Sequence, residues 1–288
     1  MKNRGILKGV HVMKKLSLTI LLLLTLLPAG ACGNNNNTAP AATAAPTEGA
    51  APAGQNSLEA VKASGKLRIG TEGTYAPFTF HDAEGKLTGF DVEIAKEITK
   101  RLGVEPEFVE TQWDGLFAGM DAKRFDTIFN EVSITDERKV KYDFSEPYIV
   151  SKGVLIVRED NQDITAFADL KGKKAGQSLT SNLSDIAREN GAEIVAVDGF
   201  NQAIDLLTSG RIDATVNDGL SYLDLKKQKP DAKIKQVDET AEGSQSAAVF
   251  LKGNEELVNA VSNALAEMKS DGTYLKISEK YFGADVSK

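Results

Sequence analysis

Cysteine occurs once in 288 residues, as Cys32, so no intramolecular disulfide can staple this chain. Histidine occurs only as His11 and His81, which leaves no Cys/His cluster with the spacing of a zinc site. Phosphate-cradling loops and nucleophile motifs are missing as well. Positive charge is scarce: 34 basic residues face 41 acidic ones, a formal net charge of −7. Lys2, Arg4, Lys8, Lys14 and Lys15 precede Cys32 with no acid among them, so without that segment the net charge is −12. Such an acidic balance argues against nucleic acid or anionic lipid as a partner. Nor is there an apolar run of the roughly 20 residues that a spanning helix needs; the stretch Leu16 to Leu27 is well short of it.

That short apolar stretch belongs to "MKKLSLTILLLLTLLPAGAC", Met13 to Cys32: two lysines, an apolar segment, then small residues before the cysteine. The pattern is that of a secretory signal, expected over residues 1–31, and Met13 opens it better than Met1 does. "AGAC" resembles a bacterial lipobox, with Ala29 where that box usually carries a branched residue. The resemblance implies that Cys32 is lipidated and anchors the protein to the membrane on its extracytoplasmic face; the alternative is a lone thiol at an ordinary cleavage site. Gly33 to Asn56, "GNNNNTAPAATAAPTEGAAPAGQN", has no aromatic or large aliphatic residue and nothing from which to build a core. Residues 32–56 therefore read as a lipidated cysteine and flexible linker, reaching on the order of 25 to 30 Å as a coil.

From Ser57 onward short apolar runs alternate with amphipathic stretches, the signature of an α/β chain. "KLRIG" reads as a strand, "FTFHDAEGKLTGF" as a hairpin turning at Glu84-Gly85. Phe90, Ile94, Ile98 and Leu102 then recur every four residues, with Gly103 just past the end as a C-cap, which predicts a helix with one buried face. "EFVET" is a further strand, "WDGLFAGMDAKR" a helix and "FDTIFNE" a strand. The unit returns downstream: "LTSGRIDATVND" repeats the order of "MDAKRFDTIFNE", namely helix end, basic residue, apolar residue, Asp, strand, then Asn followed by an acid. Each half thus delivers an Asn-acid pair at the carboxyl end of a strand, the edge at which open α/β sheets bind ligands. "SEPYIVSKGVLIVRED" is extended and apolar enough to cross between two lobes, and "SQSAAVFLKG" with its two following helices would cross back. The expected architecture is two-lobed and hinged, with 57–150 and 245–288 as one lobe and 151–244 as the other.

"IGTEGTYAPFTFHDAEGKLTGFDVEIAKEI", "WDGL", "SITDERK", "YDFSEPY", "ADLKGKKAG", "GRIDATVND" and "DGTYLKISEKYFG" follow, in order, the pattern of the polar amino-acid binding proteins of bacterial ABC importers. The resemblance covers nearly all of residues 60 to 283. "NEVSIT" and "AGQSLTSN" look like the cystine-binding branch's versions of two cleft segments. It implies a periplasmic-binding-protein-like (type II) fold that closes on an amino acid, most closely L-cystine, and presents it to the transmembrane subunits of a permease. Cysteine, glutamine or an arginine- or histidine-like ligand is the alternative. A monomer is expected, with no cofactor and no metal.

By resemblance, Arg138 grips the ligand's α-carboxylate, since a planar fork of donors matches a carboxylate where lysine offers only a point charge. Ser133 assists, with Ser178, Thr180, Ser181 and Asn182 where a helix of the second lobe begins. Read by itself, Arg138 could equally be an exposed charge at a helix start. Asp218 is the counterpart for the α-ammonium, or else a helix N-cap. Glu131, beside Asn130, is either a second ammonium acceptor or a rim carboxylate. Tyr75, Trp113 and Phe78 look like aromatic walls, with core packing as the other reading and equally good for Phe78. The amide and hydroxyls of "SLTSN" together with Glu131 are expected at the far end of a two-ended ligand.

An exported dehydratase of the same fold, with Glu131 or Asp218 as general acid, is the remaining enzyme reading. A sensor lobe feeding a membrane kinase would need a following transmembrane segment, which is not expected here.

Overall fold

The structure, a computed structural model, describes residues 57–288, all within one unit that spans Ala50–Lys288. The leader, Cys32 and linker expectations lie outside the described residues.

The first lobe opens with α1 (Leu58–Ser64) and β1 (Lys66–Thr71), followed by a small antiparallel sheet of β2 (Thr74–Tyr75), β3 (Thr79–His81) and β4 (Leu87–Thr88). The expected hairpin is β3–β4, and Gly85 takes the left-handed φ of +78° that its turn needs. Helix α2 (Phe90–Leu102) buries Phe90, Ile94 and Ile98 and ends on Gly103 in the left-handed conformation, as its periodicity predicts. Then come β5 (Glu105–Glu110), α3 (Trp113–Asp121), β6 (Thr127–Ile128), α4 (Asp136–Lys141) and β7 (Tyr142–Phe144). Strand β6 is shorter than "FDTIFNE" led one to expect, because the chain leaves the ladder at Phe129 to place Asn130 and Glu131.

The chain crosses to the second lobe through β8 (Ile149–Ser151) and builds β9 (Gly153–Arg158), β10 (Lys174–Gln177), α5 (Asn182–Glu189), β11 (Glu193–Ala196), α6 (Phe200–Thr208), β12 (Ala214–Asp218), α7 (Gly219–Gln228) and β13 (Ile234–Glu239). It returns through β14 (Ser244–Ser246) to β15 (Val249–Leu251), α8 (Glu255–Ser270) and α9 (Thr273–Phe282). The crossings β8 and β14 pair with each other as a two-stranded antiparallel sheet, Ile149 opposite Ser246 and Ser151 opposite Ser244.

The two five-stranded sheets share one plan. In the first the order is β5-β1-β6-β15-β7, in the second β11-β10-β12-β9-β13. In each, three parallel strands are extended by two strands of which the inner runs antiparallel to its neighbours. The sequence repeat therefore has a structural meaning. Strands β6 and β12 occupy the same third place in their sheets, and their Asn-acid pairs emerge at equivalent strand ends facing the space between the lobes. Apolar side chains from both lobes line the core, among them Leu67, Ile69, Phe90 and Tyr148 on one side and Ile156, Phe200 and Leu207 on the other.

Candidate ligand-binding cleft

Arg138 is the third residue of α4, a helix started by Thr135, whose hydroxyl accepts from the Arg138 backbone N–H at 3.2 Å. The cap turns the arginine inward: only 8% of it is exposed. Its guanidinium lies over the rings of Trp113 and Phe117, 5.3 and 5.1 Å from their centroids. Nη1 donates to Ser133 O at 2.9 Å and to Asn182 Oδ1 at 3.3 Å, and Nη2 to Thr180 O at 3.4 Å. Burial lowers its pKa to about 10, with the Glu131 charge pulling the other way, so it stays cationic at neutral pH. It is not an exposed charge at a helix start.

Asn182 and Thr180 belong to the other lobe, so these bonds cross the cleft. Others cross beside them. Asn182 Nδ2 donates to Ser133 Oγ at 3.3 Å, Tyr75 Oη to Asn217 Oδ1 at 2.9 Å, Ser221 Oγ to Ala76 O at 3.0 Å and Asn201 Nδ2 to Thr74 O at 3.1 Å. The lobes are shut against each other. Between them remains a cavity of about 50 Å³, room for a few water molecules, lined by Glu72, Tyr75, Trp113, Glu131, Ser133, Ser178, Ser181, Asn182, Leu183, Gly199, Phe200 and Asn217. Arg138 and Thr180 border a neighbouring pocket of about 260 Å³ with Phe117, Glu137, Lys141 and Asp185; Asn182 lines both.

The acids at the cleft are buried and their pKa values are raised; Glu72 and Glu131 line the cavity, and Asp218, next to Glu131, does not. Glu131 adopts a left-handed φ of +51°, rare for a residue with a side chain, and is held there by its N–H donating to Asp91 Oδ2 at 2.5 Å and by Ser246 Oγ donating to its Oε1 at 2.8 Å. Burial, then the nearby Asp218 charge, pushes its carboxyl well above the ordinary range. Asp218 is pushed up to about 6 by burial, although the N–H groups of Leu220 and Ser221 favour its ionised form. Those same N–H groups make it the N-cap of α7, at 2.8 and 3.3 Å, so the N-cap reading describes its Oδ1.

Several expected site residues have other employment. Phe78 is fully buried, packs on Phe282 and Tyr75, and does not line the cavity, because the β2–β3 turn folds it under Tyr75 into the lobe core. Asn130 is buried too; its amide donates to Glu72 Oε2 at 2.6 Å and its Oδ1 accepts from the Glu72 N–H at 2.7 Å. It positions an acid rather than lining the cavity. Ser181 lines the cavity while its hydroxyl caps α5 by accepting from Leu183 N–H at 3.2 Å. Glu131 lines the same cavity as Ser178, Ser181 and Asn182 of "SLTSN", and it also stands beside Asp218 while Asn182 stands beside Arg138, so residues expected at opposite ends of the ligand share one cleft.

Sequence reasoning missed Glu72, the residue after β1. It lines the cavity, held by Asn130 and by the Trp113 backbone, and burial pushes its pKa up to about 7. Gly199 of the other lobe faces it: a Cβ there would meet Glu72 Oε1 at 3.6 Å, an ordinary contact. The only available signal was its place in "IGTEGTY", at the carboxyl end of the first strand. Among the described residues no group of three or more His, Cys, Asp or Glu side chains could hold a metal ion, and no helix is long and apolar enough to cross a membrane.

Comparison with known proteins agrees with this geometry. The chain is 44% identical to the L-cystine-binding protein TcyA of Bacillus subtilis (strain 168) over 278 residues, which are 96% of this chain and all of that one. Among solved structures it resembles the L-cystine solute receptor of Neisseria gonorrhoeae in its unliganded open conformation, at 44% identity and a TM-score of 0.54, covering 81% of this chain and 99% of that one. It superposes better on an ancestral arginine-binding protein bound to arginine, TM-score 0.72 at 42% identity, over 76% of this chain and 98% of that one. At nearly equal identity the better match is the ligand-bound structure, in keeping with the bonds that shut this cleft. A family model covers residues 67–284, and the chain belongs to the bacterial extracellular solute-binding proteins, family 3.

Proposed function

We propose that this protein captures L-cystine outside the cytoplasm and delivers it to the transmembrane subunits of an ABC importer. The observation that carries the reading is a charge imbalance at the cleft: Glu72 and Glu131 line the cavity and Asp218 is buried beside Glu131, while the guanidinium of Arg138 stands at the neighbouring pocket. Buried carboxylates without cationic partners are costly, and an incoming ammonium group relieves them. One α-ammonium answers the Glu131–Asp218 pair. The third carboxylate, Glu72, calls for a second ammonium, which cystine carries and most amino acids lack. The relative TcyA is named for the same ligand.

For the α-carboxylate, the two longer bonds of Arg138, at 3.3 and 3.4 Å to Asn182 and Thr180, are the ones a charged acceptor would replace. Trp113 supplies an apolar wall and a buried Nε1–H that has no protein acceptor. A cavity of about 50 Å³ is too small for two joined amino acids, so the ligand enters with the lobes apart. It meets the lobe of Arg138 and Tyr75 first, and the second lobe closes over it, since its added contacts in the closed form shift that equilibrium. The closed form is what the permease recognises. Cys32, lipidated, would tether the protein to the membrane through residues 33–56.

A thermal-shift panel tests the ligand. L-cystine should raise the melting temperature more than any proteinogenic amino acid, and a reductant should weaken the effect by converting it to cysteine. Strong stabilisation by arginine, glutamine or histidine with none by cystine would reject cystine and leave amino-acid binding standing. Incubation with prephenate addresses the dehydratase alternative: the compound should be recovered unchanged.

A further inference from the structure

Asp114 is the second residue of α3, on the rim of the first lobe directly after Trp113. Its carboxylate collects three donors from the loop that enters α5 on the other lobe. Oδ2 accepts from Leu179 N–H at 3.2 Å, and Oδ1 from Thr180 N–H at 3.0 Å and Thr180 Oγ1 at 2.7 Å. Among the interlobe hydrogen bonds described above, no other side chain receives more than one bond from the opposite lobe. Asp114 does not line the cavity. The loop it grips carries Ser178, which does, and Thr180, whose carbonyl accepts from Arg138.

We infer that Asp114 is a positioning residue that latches the closed cleft and raises affinity for every ligand by one common factor. The inference rests on the reading that this cleft closes over an amino acid. The three bonds exist only while the lobes meet, so they favour the closed form without regard to what lies inside. Apparent affinity scales with the fraction of protein in the binding-competent closed form. A group that touches the ligand changes the ratio of affinities between ligands; a latch leaves the ratio alone. An acid in the first turn of a helix also stabilises that helix, a purely structural role that would lower the ligand-free melting temperature but leave the dissociation rate of bound ligand unchanged.

The test uses Asp114→Ala, Thr180→Val and the double variant in the full chain. Calorimetric titration with L-cystine, L-arginine, L-glutamine and L-cysteine gives affinities. Trp113, the only tryptophan, lies in the cavity wall and reports ligand dissociation by its fluorescence. Asp114→Ala should weaken every ligand that binds on the order of tenfold, with faster dissociation and with the ratios between ligands unchanged within about twofold. Thr180→Val, which loses the 2.7 Å bond and keeps the carboxylate at the helix start, should show a smaller loss in the same direction. The double variant should be no worse than Asp114→Ala, because both remove one interaction. Small-angle scattering of the ligand-free protein should give a larger radius of gyration for Asp114→Ala. Unchanged affinity, or a loss confined to one ligand, overturns the latch. Binding of arginine or glutamine without cystine would defeat the cystine reading while leaving this test intact. With no amino acid bound at all, an unchanged radius of gyration overturns it. If Asp114→Ala is less stable without ligand, Thr180→Val decides: affinity equal to the unmodified protein overturns the proposal.

Discussion

The Tyr75 hydroxyl donates to Asn217 Oδ1 at 2.9 Å, tying the aromatic wall of one lobe to the last turn of ladder in the other. The same Asn217 oxygen accepts from the Asp218 N–H at 2.9 Å, so one amide both bridges the cleft and helps hold the acid next to it. Tyr75→Phe keeps the ring against Phe78 and leaves Asn217 one of its two donors. Loss of about 1 kcal/mol is expected, a fall in affinity of roughly fivefold by calorimetry, with little change in unfolding of the ligand-free protein.

Arg138→Ala removes a buried cation together with its stacking on Trp113 and Phe117. The cost in ligand binding should be roughly 3 to 5 kcal/mol, or about two to three and a half decades in Kd. Arg138→Lys should recover little, since an ammonium can neither fork a carboxylate nor present a planar cation to the two rings. Calorimetry that finds Arg138→Ala within about threefold of the unmodified protein would contradict the carboxylate role.

Protonation of the acids makes binding depend on pH. Burial holds Glu72 and Asp91 near 7, against an ordinary 4.5 and 3.8, and Asp218 near 6. Between about pH 4 and 7 the folded protein therefore carries more protons than the unfolded chain, and the ligand-free protein loses stability as pH rises through that window. A bound ammonium favours the ionised carboxylates. Binding at about pH 6.5 should then release protons, read as a dependence of binding enthalpy on the buffer's ionisation enthalpy, and ligand stabilisation should grow from about pH 5 to about pH 8. Proton uptake on binding would be the opposite sign.

Gly89 carries φ +127°, and a Cβ there would lie 2.2 Å from the Phe78 carbonyl oxygen. Backbone against backbone leaves nothing to yield. Gly89→Ala should cost about 3 kcal/mol and lower Tm by roughly 6 to 12 °C in calorimetry, while residual folded protein still binds ligand.

Lipidation at Cys32 has a direct assay. Expressed in a bacterial host, the full chain should partition into the detergent phase, and Cys32→Ala should move it to the aqueous phase with unchanged ligand affinity. Unmodified protein found mainly in the aqueous phase would remove the anchor.

Helix α2 was legible because its four-residue apolar spacing and terminal Gly103 are local facts of the chain. The paired strand ends were legible because the repeat survives in the letters; Arg138 was legible only through the family resemblance of "SITDERK", since its burial under the Thr135 cap is a tertiary fact. Glu72 was not legible. Nothing within its own stretch separates it from an exposed glutamate; Asn130, 58 residues later, holds it in place. The two asparagines of the repeat look alike in the sequence and serve differently, Asn130 on Glu72 and Asn217 on Tyr75.

By itself, then, the sequence determined the α/β alternation, the twofold plan and the two crossings, which follow from periodicity and from motifs a few residues long, whereas Arg138 was singled out by the family resemblance. The tertiary structure decided that Phe78 is core, that Asp218 caps α7, that Glu131 stands beside Asp218, and that Glu72 and Asp114 matter at all. Those outcomes depend on desolvation and on donors brought together from distant parts of the chain, and no window along one strand or helix contains them.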